Sequence, residues 1–257
     1  MGKIIAVANQ KGGVGKTTTT VNLAAGIGLS KKKALLIDID PQGNATSGVG
    51  INKRNVEASS YELITGEAKA QEAIVKTKFK NLDMIPSNIQ LAGAEIELVD
   101  MEERVYVLKK AIVALKEQYD YILIDCPPSL GLITLNALTA CDTLFIPIQC
   151  EYYALEGLSQ LMATVRQVKK RYNPTIEIEG VLLTMYDGRL NLTAQVLEEV
   201  KKYYGNRVYK TTIPRNVRLS EAPSYGQPVY YYDKSSTGTK AYLELTKEFL
   251  KRNKEAK

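Results

Sequence analysis

Aliphatic and β-branched residues gather into short unbroken runs along this chain: Ile4 to Ala8, Ala34 to Ile39, Leu82 to Ile85, Tyr121 to Ile124, Thr143 to Ile148 and Ile178 to Leu183. Runs that do not alternate with polar residues mark strands covered on both faces, as in a parallel sheet between two helical layers. Between them apolar residues recur at helical spacing, first Val105, Leu108, Ile112 and Leu115, then Leu158, Leu161, Met162, Val165 and Val168. These stripes read as core-facing and carry no chemistry of their own. The repeated alternation predicts an α/β fold, a doubly wound, mostly parallel sheet flanked by helices, whose ligands sit beyond the carboxyl ends of the strands. At 257 residues a single domain, 1–257, is expected, with the segment from Gly43 to Asn55 as its longest loop. Tyr230-Tyr231-Tyr232 reads as a strand on β-propensity.

The first run leads into Gln10-Lys11-Gly12-Gly13-Val14-Gly15-Lys16-Thr17-Thr18, and then Val21, Leu23, Ala24 and Ile27 mark a helix. Strand, glycine loop and helix start together form a phosphate site. Glycines let backbone N–H groups turn inward, the helix N-terminus adds a favourable field, Lys16 reaches the terminal phosphates and Thr17 ligates Mg²⁺. The bound ligand is thus expected to be ATP with Mg²⁺. The second run ends in Asp38-Ile39-Asp40-Pro41, which alone would read as a turn closing a strand but beside this loop places carboxylates where metal and water are needed. Tyr121-Ile122-Leu123-Ile124-Asp125 reads as a Walker B strand with Asp125 as the acid that binds Mg²⁺ through water. Cys126 beside it reads as a small buried filler.

The loop departs from the strict Walker A pattern, with Gln10 where a glycine is usual and a second lysine at Lys11. In this it resembles the deviant Walker A ATPases of the ParA/MinD group. The segments DIDPQGNATSGVG from Asp38, QCEYYALEGLSQL from Gln149 and IPRNVRLSEAPSYGQPV from Ile213 are similar to the ParA/Soj partition branch. The resemblance covers nearly the whole chain. It implies a homodimer closed by ATP, with Lys11 reaching the partner's nucleotide, Gly12 and Glu151 at the dimer face, Asp38 near the metal and Asp40 positioning the attacking water. It implies further that Lys11, Gly12, Gly13, Val14, Gly15, Lys16, Thr17 and Thr18 hold the phosphates, and that the stretch holding Pro214, Arg215 and Asn216 borders adenine. The metal set is then Thr17, Asp38 and Asp125, and the catalytic set Lys11, Lys16 and Asp40. Nonspecific DNA binding is implied at Arg189, Arg215 and Arg218, and Lys201, Lys210, Lys234 and Lys240 widen that patch. A ParB/Spo0J-type centromere-binding protein is the implied partner, and a replication initiator is a further implied contact.

Charge sharpens this picture. The net charge is +6, but residues 201–257 hold 13 Lys and Arg against 5 Asp and Glu, so that segment is +8 and the remainder −2. Such asymmetry suits an anionic partner, nucleic acid or acidic lipid, and suits equally a solvated basic face. Three cysteines without CxxC spacing read as buried free thiols in a reducing cytoplasm, and a chain with no histidine has no His-based acid–base or metal chemistry. A nucleoid-associated cytoplasmic protein is expected, with no secretion signal and no DNA-reading domain ahead of Met1. A MinD-like membrane switch would end in an apolar helical wedge. Here the stripe Ala241, Tyr242, Leu245 and Phe249 gives way to a charged ending, and no membrane partner is expected. Iron-protein relatives hold a cluster with paired cysteines that are not recognisable here, and a bacterial tyrosine kinase would carry its tyrosines at the extreme terminus.

Overall fold

The computed structural model describes residues 1–151 and 154–255. Seven strands make one sheet: β1 (Lys3–Val7), β2 (Ala34–Asp38), β3 (Val75–Lys76), β4 (Leu82–Ile85), β5 (Tyr121–Asp125), β6 (Thr143–Gln149) and β7 (Glu177–Thr184). Their order is β3-β4-β2-β5-β1-β6-β7, parallel throughout except where β3 pairs with β4. Each of the six expected runs becomes a strand. The two-residue β3 is too short to leave a periodic signal.

The helices up to β5 are α1 (Lys16–Leu29), α2 (Asn44–Gly48), α3 (Ser60–Thr65), α4 (Ala70–Ala73), α5 (Leu91–Val99) and α6 (Val107–Ile112). After it come α7 (Leu132–Ala140), α8 (Ala154–Arg171), α9 (Asn191–Tyr204), α10 (Val217–Glu221), α11 (Val229–Tyr232) and α12 (Thr237–Glu255). Alternate residues of each strand enter opposite layers. Ile4, Ala6 and Ala8 join a core with α3 and α5 to α9, whereas Ile5 and Val7 join one built on α1, α11 and α12. The sheet is therefore covered on both faces, which is why its strands lack polar alternation.

Two local expectations are corrected. Tyr230-Tyr231-Tyr232 lies in α11, not in a strand. Pro228 sets the entry with φ −58°, Val229 N–H donates to Asn22 Oδ1 at 2.8 Å, and burial of Val229 and Tyr230 against α1 overrides β-propensity. The segment 43–55 contains α2, started by Gly43 at φ 61°. Thr46 in that helix is pinned because its N–H and Oγ1 donate to Asp38 Oδ2 at 2.9 and 2.8 Å.

The stripe Ala241, Tyr242, Leu245 and Phe249 is buried against the layer containing α1. Tyr242 Oη lies 3.1 Å from Thr19 Oγ1, and the Phe249 ring stands edge-on to Tyr121 with centroids 5.2 Å apart. This face of α12 is core and is not available to a bilayer. Among the described residues no helix is long and apolar enough to cross a membrane.

Candidate nucleotide site

The sheet order brings three carboxyl ends together. Val7 of β1 and Asp38 of β2 both stand in register with Asp125 of the intervening β5. The loop leaving β1 turns between β5 and β6, where the strand order reverses and α/β sheets open a crevice for ligands. Asn9 fixes its start: Nδ2 donates to Pro147 O at 2.8 Å, and Oδ1 accepts Lys11 N–H at 3.0 Å. Thr184 Oγ1 clamps the middle by donating to Val14 O at 2.8 Å. Gly13 and Gly15 hold φ of 74° and 83°, the left-handed region in which side chains are strained. Gly15 caps α1 with no side-chain cap and no acid in the first turn, so the helix N–H groups remain open to an anion.

Lys16 is buried, and its Nζ donates to Lys11 O at 3.0 Å. Burial lowers its pKa, against the opposing pull of Asp125, Cys126 and Asp40. Around it the acids are also buried. Desolvation lifts Asp125 to about 8, and Asp38 pushes the same way; the Thr17 and Thr20 hydroxyls oppose the rise. Only Thr20 reaches full hydrogen-bonding geometry, 2.9 Å from Asp125 Oδ1. Asp38 rises to about 6 for the same first reason, against its bonds from Thr46 and Asp40.

Asp125 Oδ2 is buried with no hydrogen-bond partner. An orphaned carboxylate oxygen beside a threonine hydroxyl and a buried lysine fits a hydrated divalent cation. Among the described residues no group of three or more His, Cys, Asp or Glu could cage a metal alone. Mg²⁺ takes most of its ligands from phosphate and water. The Asp38 oxygens are already engaged by Asp40 N at 3.1 Å and by Thr46, so this residue braces the loop after β2 as well as adding charge beside Asp125. Asp40 is buried and accepts Gln42 N–H at 2.9 Å. Cys126 donates weakly to Ile124 O, and burial pushes its thiol well up, so it is neutral filler as expected.

Lys11 has a different partner from Lys16. Its Nζ lies 2.5 Å from Glu151 Oε2, with both side chains partly exposed. A Cβ added at Gly12 would meet nothing within 4 Å, so the loop presents bare backbone outward. Tyr152 and Tyr153 of the adjoining segment lie outside the described residues.

Among the comparisons, the AAA domain family (AAA_31) matches residues 2–178. The sporulation initiation inhibitor protein Soj of Bacillus subtilis is 62% identical, over 96% of this chain and 98% of its own. The chromosome partitioning protein ParA of Myxococcus xanthus is 51% identical, over 98% and 89%. The chain belongs to the Soj/ParA family of chromosome-partitioning ATPases. A solved cobyrinic acid a,c-diamide synthase of Mycobacterium smegmatis, holding an ATP analogue and magnesium, superposes with a TM-score of 0.87 at 35% identity, covering 100% of this chain and 98% of that one.

The other residues that the Soj/ParA resemblance implies follow β7 in the chain, between residues 189 and 240. Pro214 bridges to Tyr186, Arg215 Nη2 approaches Met185 Sδ at 3.8 Å, and Asn216 Nδ2 donates to Thr237 Oγ1 at 2.7 Å. Arg189 is 89% exposed and pairs with Asp187 at 2.6 Å. Arg218 is held between Glu221 and Asp233 at 2.7 and 3.3 Å, so its charge is largely compensated. Lys201, Lys210, Lys234 and Lys240 are exposed. Asn9, Thr20, Thr46 and Thr184 were not singled out from the sequence, because each acts on a partner distant along the chain or through a backbone bond that no spacing reveals.

Proposed function

We propose that this chain is an ATP-driven partition switch: ATP closes a sandwich dimer, the dimer binds DNA without sequence preference, and partner-stimulated hydrolysis releases it. The observation that carries this reading is the different burial and partners of two lysines. Lys16 is buried among the acids, as a lysine that holds its own chain's phosphates must be. Lys11 is partly exposed and paired with Glu151, beside a glycine with open space around it, where a second subunit can approach.

Bound ATP and Mg²⁺ supply the phosphoryl group and the charge that organises it. The N–H groups from Gly12 to Thr18, with Lys16, would hold the phosphates, and Thr17 and Asp125 would hold the metal, Asp125 through water. Asp40 would orient the attacking water. Phosphoryl transfer is mainly positioning and charge neutralisation, and a missing cationic finger costs about 10³- to 10⁵-fold in rate. Slow turnover by the isolated chain follows, with the ParB/Spo0J-type partner raising it.

Dimerisation also explains DNA control. A few Arg and Lys contacts bind DNA weakly and with strong salt dependence, whereas two rigidly paired patches gain about 10²- to 10⁴-fold in avidity. Contact with a replication initiator extends the same reading. A cobyrinic acid a,c-diamide synthase, as the Mycobacterium smegmatis neighbour is named, is the weaker reading at 35% identity against 62% for Soj.

The deciding experiment is DNA retention by the purified chain with ATP, ADP and no nucleotide. Retention with ATP alone is expected; equal retention in all three would overturn the switch.

A further inference from the structure

After Lys16, helix α1 continues with four threonines in a row, Thr17 to Thr20. β-Branched residues are weak helix formers, so such a run costs helix stability unless its side chains gain partners elsewhere. Thr19 and Thr20 are both wholly buried, and they meet different elements. Thr19 Oγ1 lies 3.1 Å from Tyr242 Oη, a contact between α1 and α12. Thr20 Oγ1 lies 2.8 Å from Lys16 O and 2.9 Å from Asp125 Oδ1.

Both of those oxygens are acceptors and the hydroxyl carries one proton, so Thr20 donates to one of them at a time. Bonding back to the carbonyl four residues earlier is open to a threonine in any helix. The carboxylate is the informative partner. Asp125 has no exposed surface, and among the described residues Thr20 is the sole side chain that donates to its carboxylate with full hydrogen-bonding geometry. The other oxygen, Oδ2, is buried with no partner. Without a bond that tells them apart, the two oxygens would interchange by rotation about a soft terminal torsion. Helix α1 therefore distinguishes them, engaging one and leaving the other for a ligand.

We infer that Thr20 is a positioning residue for the metal acid: its hydroxyl holds Asp125 Oδ1 so that Oδ2 is presented to the hydrated Mg²⁺ that accompanies ATP. The inference rests on the reading that Asp125 holds the metal, and it adds the partner that orients this acid. An ionised oxygen is a stronger acceptor than a carbonyl, so the charged carboxylate takes the Thr20 proton in preference to Lys16 O. Lys16 and Thr20 stand four residues apart on one helix face, and a single turn of α1 thus carries the phosphate lysine and steers the acid of β5. Outer partners of a metal site are worth about 10- to 100-fold in metal affinity, and about tenfold is expected here because Asp125 acts through water.

The test measures ADP binding to the full chain by isothermal titration in magnesium and in EDTA, together with the magnesium concentration that gives half-maximal turnover at saturating ATP. Wild type should bind ADP more tightly with magnesium. Thr20→Val keeps the shape and removes the hydroxyl; it should lower magnesium-dependent affinity about tenfold, raise the half-saturating magnesium by a similar factor and leave affinity in EDTA unchanged. Thr20→Ser should restore both readouts. In an Asp125→Asn background Thr20→Val should cost nothing further, because the carboxylate it serves is gone. A wild-type magnesium response in Thr20→Val, an equal loss in magnesium and in EDTA, or a failure of serine to restore the response would each overturn the inference. If valine prevents folding, Thr20→Ala takes its place with the same outcomes. A wild-type magnesium response in Asp125→Asn alone would instead sink the reading of Asp125 as the metal acid, so the two failures are told apart.

Discussion

The ammonium of Lys11 lies 2.5 Å from Glu151 Oε2, so the lysine proposed to act across a dimer is held by a carboxylate of its own chain. Both partners are partly exposed, and such pairs contribute only about 0–1 kcal/mol. The contact is thus weak enough for a partner's phosphates to displace it. Glu151→Gln should leave thermal stability nearly unchanged and lower the ATP concentration at which the dimer forms, as followed by light scattering. Lys11→Ala should bind ATP and remain monomeric.

The buried acids make the ligand-free protein sensitive to pH. Asp38 and Asp125 have folded-state values of about 6 and about 8, above those of unfolded aspartates. Between the unfolded and folded values the native state holds more protons, so stability is greatest at low pH within this window and falls as pH rises toward 8. The melting temperature without nucleotide should decline from pH 5 to 8, and Asp125→Asn should flatten that decline. Magnesium should bind more tightly as pH approaches 8, because Asp125 must lose its proton to serve it. A slope unchanged in Asp125→Asn would remove this residue as its source.

Asp40→Ala should bind nucleotide normally and accumulate as an ATP-loaded dimer on DNA, since the residue proposed to orient water is gone while the phosphate loop is intact. Lys16→Ala should instead lose ATP affinity by about tenfold to a hundredfold or more, the usual worth of a charge-assisted hydrogen bond. Isothermal titration separates the two, and normal hydrolysis by Asp40→Ala would refute its role.

Arg189→Glu should abolish DNA retention without changing ATP binding. Arg218→Ala should matter less, because Glu221 and Asp233 already compensate that guanidinium. Retention at several salt concentrations checks both.

The fold, and the loops that make up the candidate phosphate site, were legible because their signals are local. Six unbroken apolar runs became six strands, and Lys11, Lys16, Asp38, Asp40 and Asp125 announced themselves beside them in short segments. What escaped depends on partners far along the chain. Asn44 to Gly48 reads as turn residues, yet folds as α2 with the Asp38 carboxylate gripping Thr46. Tyr230 reads as strand until its burial against α1 makes it helical. Glu95 sits in an unremarkable acidic stretch, and only the tertiary fold sets it on Gly131.

Strand β1 precedes the other six strands along the chain but lies in the middle of the sheet, between β5 and β6. A ribosome must therefore deliver residues up to 145 before both edges of that strand are paired, and α1 keeps an uncovered side until α12 emerges. Long-range pairing of this kind slows folding and leaves apolar edges open to aggregation during synthesis. Growing chains of this protein should consequently depend on chaperones until α12 is out, and truncations within α12 should precipitate rather than persist as active fragments.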